Sequence, residues 1–306
     1  MKVVFLGTPE FAVASLKALT ESDHEVVAVV SQPDRARDRK GNLLPTPVKT
    51  FAEQNGIKVY QFEKIRTEGV DVLKNAGADV MVTAAYGQIL SREILQIAPL
   101  GVINVHASLL PKYRGSAPIQ WAVINGEKET GITIMQTDIG IDNGAVLASV
   151  KTLIGETETA GELTERLQNI GAKLLTDTLD LLSENKIVPV PQDESAATKC
   201  RMLEKSDGHL DFSCGKREIV CRCNGVTPFP GAYGVLNGEA VKLGKVLPAE
   251  GNFGNCGRIS VVDDEIIVAC KDGGVKIGQL QFPGKKMLAA KEFLRGHKFD
   301  EGAEFV

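Results

Sequence analysis

The 306-residue chain lacks several things, and each lack removes a class of function. It has no run of eighteen apolar residues, so no membrane-spanning helix is expected. Its first residues, MKVVFLGTPEF, hold neither the apolar stretch and small-residue cleavage site of a secretion signal nor an Arg-rich transit segment. A cytoplasmic protein is the expectation. Neither sign of charge is in excess: 35 Lys+Arg stand against 39 Asp+Glu, a net charge of −4. An anionic partner would have to be met by local basic clusters, not by a global field. The 6 cysteines all fall within 200–270, and Cys221-x-Cys223 has no second pair at zinc spacing. Reduced thiols are the simple reading and a metal or redox role the alternative; no metal site is expected. The first turn, Gly7-Thr8-Pro9-Glu10-Phe11-Ala12, lacks G-x-G-x-x-G, and no G-x-x-x-x-G-K-[ST] occurs. Nucleotide cofactors held through those loops are therefore not expected.

Apolar strands alternating with helices are present instead. Residues 2–6, 25–30, 57–62, 79–85 and 101–108 read as buried strands. Thr8 is placed to cap a helix after the first, and helical patterns cover 49–54 and 68–75. Residues 131–137 and 145–154 read as a further strand pair around a loop. Thr159 and Glu162 form a capping box opening a helix that runs to about Glu184. The stretch IVPVPQDESAATK is Pro-rich and polar and reads as a linker. Beyond it come regular short strands with turns at Asn237-Gly238, Asp263-Asp264 and Asp272-Gly273-Gly274, and helical patterns at 218–223 and 289–295. The expected architecture is an α/β domain with a doubly wound, Rossmann-like parallel sheet over 1–186, a linker over 187–206, and an OB-like β-barrel of about five strands over 207–306.

The stretch NVHASLLPKYRGSAP begins at the end of the fifth strand and holds one of only 4 histidines. Asn104 and His106 lie two residues apart, so on a strand they share a face. Ligands of such sheets bind beyond the carboxyl ends of the strands. An amide and an imidazole there suit an oxygen that becomes negative, and the Gly-rich loop TDIGIDNGA offers Asp138 and Asp142 to orient the imidazole. General acid–base chemistry on a carbonyl fits these residues. Equally, a strand-end histidine often serves only packing, and Asp142-Asn143-Gly144 reads as an ordinary tight turn. No serine is framed as a nucleophile elbow. A second candidate is SQPDRARDRKGNLLPTPVK: from Asp34 to Lys49 it carries Arg35, Arg37, Arg39, Lys40 and Lys49 against Asp34 and Asp38, a local +3. Such a loop suits phosphate contacts, though a merely solvated surface loop would look the same.

The segment NVHASLLPKYRGSAPIQWAVINGEKETGITIMQTDIGIDNGAVL resembles the signature of the folate-dependent formyltransferase family. The resemblance implies that Asn104, His106 and Asp142 are the catalytic trio and that no metal takes part. It further implies that Ser108, Leu109, Leu110 and Pro111 contact folate, as do Gln88, Ile89 and Leu90 in AAYGQIL and Ile139, Gly140 and Ile141 in DIGID. The co-substrate would be 10-formyltetrahydrofolate. GTPEFA, the QPD…LLPTPVK loop and PGKKM extend the resemblance, over nearly the whole chain, to the branch of the family that formylates initiator methionyl-tRNA. For that branch the basic loop, through Arg35, Arg37, Arg39 and Lys40, enters the acceptor stem and the C-terminal barrel helps to bind tRNA. Arg39 aligns with the loop arginine of the family, although the surrounding ARDRKGN is less regular than the usual pattern. A monomer is expected. The alternative is a formyltransferase acting on a nucleotide-linked amino sugar, which has no evident use for an Arg-rich arm.

Overall fold

The computed structural model describes residues 1–38 and 40–306; Arg39 lies outside the described residues. Two compact units are present. One comprises Met1–Gly115, Thr130–Thr152 and Thr164–Lys199, the other Ser116–Glu129, Leu153–Leu163 and Cys200–Val306.

The first unit is built on seven strands: β1 (Lys2–Gly7), β2 (Glu25–Ser31), β3 (Val59–Gln61), β4 (Val80–Ala84), β5 (Val102–His106), β6 (Glu129–Gln136) and β7 (Val146–Leu153). Their spatial order is β3-β2-β1-β4-β5-β6-β7. β1 pairs in parallel with β2 and β4, β2 with β3, and β4 with β5, whereas β6 runs antiparallel to β5. Val3, Val4, Phe5 and Leu6 are fully buried, and every residue of β4 is buried, as expected of strands covered on both faces. The order reverses between β1 and β4, which makes the carboxyl ends of the central strands the natural ligand crevice. The parallel sheet expected from the sequence is therefore mixed at one side.

Local sequence explains most of the helices, with some adjustments. The Thr159–Glu162 capping box is formed at the helix Ala160–Ser183: Thr159 N–H donates to the Glu162 carboxylate at 2.8 Å and Glu162 N–H to Thr159 Oγ1 at 3.2 Å. The helix Pro47–Gln54 starts two residues earlier than expected, because Thr46 accepts from Lys49 N–H and Pro47 suits the first turn. The single helix expected over 68–75 is two, Ile65–Glu68 and Val70–Ala76, joined at Gly69. Thr8 does not cap the first helix. Pro9 occupies that position, and Thr8 Oγ1 donates instead to the Tyr86 carbonyl at 3.0 Å, tying the first turn to the loop after β4.

The second unit carries six antiparallel strands: β8 (Tyr233–Leu236), β9 (Glu239–Ala249), β10 (Ile259–Val262), β11 (Glu265–Cys270), β12 (Gly273–Gln281) and the two-residue β13 (Leu288–Ala289). They follow the order β8-β9-β12-β11-β10, with β13 on β12. Asn237 and Gly238, at φ 51° and 80°, make the tight turn that the sequence indicates. Both sheet edges are bridged by the last residues. Val235 and Val306 exchange two backbone hydrogen bonds, while Ile259 N–H donates to Ala303 O and Phe305 N–H to Gly257 O. The core joins Leu210, Val226, Val241, Val268 and Val275 to Ile219 and Cys223 of the helix Lys216–Gly225. A helix that the sequence does not announce, Pro118–Ile124, packs against this core through Ile124.

Candidate active site

β5 delivers two polar side chains from an otherwise apolar strand. Asn104 pairs with Met135 and His106 with Thr133 across the antiparallel neighbour. Because β6 ends beside Ile103, at the far end of β5, the loop 137–145 has to return along β5 to reach them. It does so. Asp142 Oδ2 lies 3.6 Å from His106 Nδ1, and Asn104 Nδ2 lies 3.5 Å from Asp142 Oδ1. The three residues that the sequence separates by up to 38 positions thus face one point. Both contacts exceed the length of a good hydrogen bond, so the trio is loosely joined. Loose contacts of this kind are common in unliganded sites.

Each member is held from behind. Thr83 Oγ1, buried in β4, donates to Asn104 Oδ1 at 2.8 Å. A carboxylate accepts only, so the amide nitrogen is the end turned to Asp142. His106 is 5 % exposed, and its Nε2 sits 2.9 Å from the Tyr113 carbonyl. That carbonyl also accepts only, so Nε2 carries a proton towards it and Nδ1 is the ring atom left facing Asp142. Gly115 N–H donates to Asp142 Oδ2 at 2.8 Å. Asp142 itself adopts φ 50°, the left-handed region that aspartate tolerates in turns. Gly144 beside it has no room for a side chain, since a Cβ would run into the Gln136 carbonyl.

The stretch 187–199, which reads as a linker in the sequence, lies against the site. Val190 and Val146 exchange backbone hydrogen bonds. Gln192 Nε2 donates to the carbonyls of Asp142 and Gly144 at 2.9 and 2.7 Å. Its Oε1 accepts from Arg114 Nε and Nη2 at 3.0 and 2.8 Å. Arg114, 5 % exposed, also makes a two-pronged pair with Glu194 at 2.9 and 2.8 Å. Hydrogen bonding to Glu194 raises the guanidinium pKa further and lowers that of the Glu194 carboxyl. Thr83 has a sequence signal, a lone hydroxyl within an apolar central strand. Gln192 has none.

The other expected residues fall into two sets. Ser108 is fully buried, donates to Lys112 O at 2.6 Å and accepts from Thr133 on its carbonyl, while Leu110 N–H donates to Thr133 Oγ1. Ser108 therefore shapes the Leu109-Leu110-Pro111 loop from inside. Gln88 is likewise turned inward: its Nε2 donates to Phe62 O at 2.9 Å, and its Oε1 accepts from Ile65 N–H, also at 2.9 Å. Leu90 packs partly on the neighbouring core. Ile89, Ile139 and Ile141 are 77 %, 57 % and 69 % exposed, one large apolar side chain on the loop after β4 and two on the loop that carries Asp142. Gly140 lies between two of them.

In the basic loop the formal +3 is reduced by pairing. Asp34 and Lys49 form an ion pair of 2.6 Å at its base, where Gln61 also donates to Asp34. Burial works against the Asp34 charge, but the bonds from Lys49 and Gln61 prevail and hold its pKa below the usual carboxylate value. Arg35 pairs with Glu63 at 2.9 Å. Arg37 donates to Gly41 O, and Asp38 accepts from the backbone N–H groups of Lys40 and Asn42 to shape the tip. Arg37 and Lys40 are exposed there, beside exposed Leu43 and Leu44.

The formyl transferase family model matches residues 1–179, and the model of the formyl transferase C-terminal domain matches 202–298. The methionyl-tRNA formyltransferase of Citrifermentans bemidjiense is 44 % identical over 303 residues, 99 % of this chain and 95 % of that protein. The chain belongs to the methionyl-tRNA formyltransferase family. Another member of that family, from Ruminiclostridium cellulolyticum, is 42 % identical over 99 % of this chain and 98 % of its own length. Among solved structures, the sugar 3N-formyl transferase WlaRD, crystallised with dTDP and 5-N-formyl-THF, aligns over 94 % of this chain and 99 % of its own at a TM-score of 0.69 and 19 % identity. The N-formyltransferase of Helicobacter canadensis aligns over 92 % and 100 % at 0.70 and 18 %. At those identities the likeness extends to the fold alone. Among the described residues no helix is long and apolar enough to cross a membrane, and no three His, Cys, Asp or Glu side chains are grouped to hold a metal.

Proposed function

We propose that this chain transfers the formyl group of 10-formyltetrahydrofolate to the free amino group of initiator methionyl-tRNA, with Asn104, His106 and Asp142 at the reacting carbon. The observation carrying the reading is the convergence of those side chains, at 3.5 and 3.6 Å, in a chain 44 % identical over its length to a methionyl-tRNA formyltransferase. The amine nitrogen attacks the formyl carbon and a C–N bond forms. The carbonyl oxygen gathers negative charge opposite the N–H groups of Asn104 Nδ2 and of His106 Nδ1, the latter with the ring protonated on both nitrogens. The bond to folate N10 then breaks as the carbonyl re-forms. One proton leaves the attacking amine and one arrives on N10. Asp142 Oδ1 is the acceptor placed to take the first, directly or through a water.

Folate is assigned to the loops carrying Gln88, Ile89, Leu90, Ser108, Leu109, Leu110, Pro111, Ile139, Gly140 and Ile141. The exposed isoleucines support this, since a flat aromatic heterocycle covers apolar surface well. The tRNA is assigned to Arg35, Arg37, Arg39 and Lys40 and to the C-terminal β domain. Arg37 and Lys40 support the loop assignment by their exposure at the tip, whereas Arg35 is shared with Glu63. The amino-sugar alternative draws only on relatives at 18–20 % identity. Purified protein assayed with 10-formyltetrahydrofolate is expected to formylate methionyl-tRNA and not a nucleotide-linked amino sugar. The opposite preference would overturn the assignment.

A further inference from the structure

We propose that Gln192 is a positioning residue for Asp142: its carboxamide fixes the backbone of the 142–144 turn and so sets where the Asp142 carboxylate stands relative to Asn104 and His106. The inference rests on the reading of Asp142 as part of the reacting trio.

Asp142 has its side chain and its backbone held by different elements. Gly115 N–H holds the carboxylate at 2.8 Å, while Gln192 Nε2 holds the Asp142 carbonyl at 2.9 Å and the Gly144 carbonyl at 2.7 Å. Both amide hydrogens of Gln192 are thereby used across one turn, and that turn contains a residue at φ 50°. Left to itself, a left-handed non-glycine residue has other conformations of similar or lower energy. Two simultaneous bonds from one rigid planar group remove most of them.

The orientation of Gln192 is itself decided. Arg114 directs Nε and Nη2 at Oε1, at 3.0 and 2.8 Å, and a guanidinium has no acceptor. The amide oxygen therefore faces Arg114 and the NH2 faces the turn. Arg114 is buried to 5 % exposure and is fixed in turn by the two-pronged bond to Glu194. Val190, two residues before Gln192, is tied to Val146 at 2.8 and 2.9 Å, which anchors the segment to β7. The chain of contacts Glu194–Arg114–Gln192–Asp142 thus runs from the linker-like stretch to the reacting carboxylate. A group misplaced by about an ångström loses much of its catalytic effect, so a residue acting this way affects turnover more than binding.

The test uses the full-length enzyme with methionyl-tRNA and 10-formyltetrahydrofolate. Gln192→Ala removes every bond, while Gln192→Glu keeps the acceptor for Arg114 but loses both donors to the turn. For each variant kcat is expected to fall about tenfold, with KM for both substrates within about twofold and Tm little changed. A double-mutant cycle with Asp142→Asn supplies the coupling: adding Gln192→Glu to Asp142→Asn is expected to cost little further rate, because the group being positioned is already gone. Wild-type kcat in Gln192→Ala overturns the proposal, as does a full additional tenfold loss in the double variant. Failure of both single variants to fold overturns it too, for Gln192 would then hold the fold and not the turn. If Asp142→Asn alone retains full activity, the reading of the trio fails and this inference with it. A crippled Asp142→Asn beside an unimpaired Gln192→Ala rejects the inference alone.

Discussion

The hydroxyl of Thr83 donates to the side-chain oxygen of Asn104 at 2.8 Å, across the parallel pair β4–β5 where the two residues stand in register. That bond holds the oxygen end of the amide from behind, while Asp142, which only accepts, keeps the nitrogen end towards the site. Thr83→Val keeps the shape and removes the donor, so the amide loses one of its two fixed points. We expect kcat to fall about five- to tenfold, in line with one hydrogen bond of about 1 kcal/mol, while Tm stays close to the parent. Unchanged turnover would mean that the amide is fixed by something else.

Asn104→Ala and His106→Ala remove the donors themselves. The loss of one such donor typically costs roughly 10² to 10³ in rate. Both variants are expected to fold, to retain folate binding and to lose turnover on that scale in a steady-state formylation assay. A variant of either kind with turnover near the parent refutes the assignment.

The basic loop is expected to act on tRNA alone. Replacing Arg37, Arg39 and Lys40 together by glutamine should weaken tRNA binding and flatten its dependence on salt, because fewer phosphate contacts release fewer counterions. Folate binding, measured by titration on the same preparation, should not move. Lys49 is left out of that variant because its ammonium is bound to Asp34 at 2.6 Å at the base of the loop.

Ile89, Ile139 and Ile141 offer apolar surface with little packing of their own. Replacing each by serine is expected to raise KM for 10-formyltetrahydrofolate severalfold, at about 25 cal/mol for each Å² of apolar surface that the ligand no longer covers. Tm and KM for methionyl-tRNA should hold. A rise confined to the tRNA KM would instead move these loops to the other substrate.

Asp207 gives a pH dependence of stability in the second unit. Hydrogen bonds from Arg201 at 2.6 and 2.8 Å hold its pKa below the usual carboxylate value, ahead of the opposing effect of burial. A depressed folded-state pKa contributes stability that is fully present above the unfolded value of about 3.9 and is lost as pH falls through the folded one. Asp207→Asn is therefore expected to destabilise the protein by about 1 kcal/mol near neutral pH. The gap to the parent should close below about pH 4. Parallel urea midpoints across that range would contradict the ion pair.

Much of the site is legible in the chain itself. Asn104 and His106 share a strand face by their spacing alone, and the family resemblance supplies Asp142. The same resemblance points Ser108 and Gln88 at a ligand, yet their side chains are turned into the protein, where they shape loops. Thr8 stands where a helix cap is expected and instead bonds Tyr86 O, because a hydroxyl takes whichever acceptor the fold brings near. The sequence indicates neither the inward bonds of Gln88 nor that of Thr8, since the partners come from distant parts of the chain.

What the sequence determined by itself is what local physics and periodicity control: alternating apolar strands and helices, the capping box at Thr159, the Asn237-Gly238 hairpin and the placement of an amide and an imidazole at one strand end. Tertiary structure alone decided how Asp142 reaches them. β6 runs against β5 and leaves its loop at the wrong end, so the loop must fold back, and it is kept there by Gly115 and by Gln192 from a segment with no pattern of its own. Hydrogen bonds between residues 27 and 50 positions apart leave no periodic trace in the chain, because each needs only one donor and one acceptor brought together by everything else.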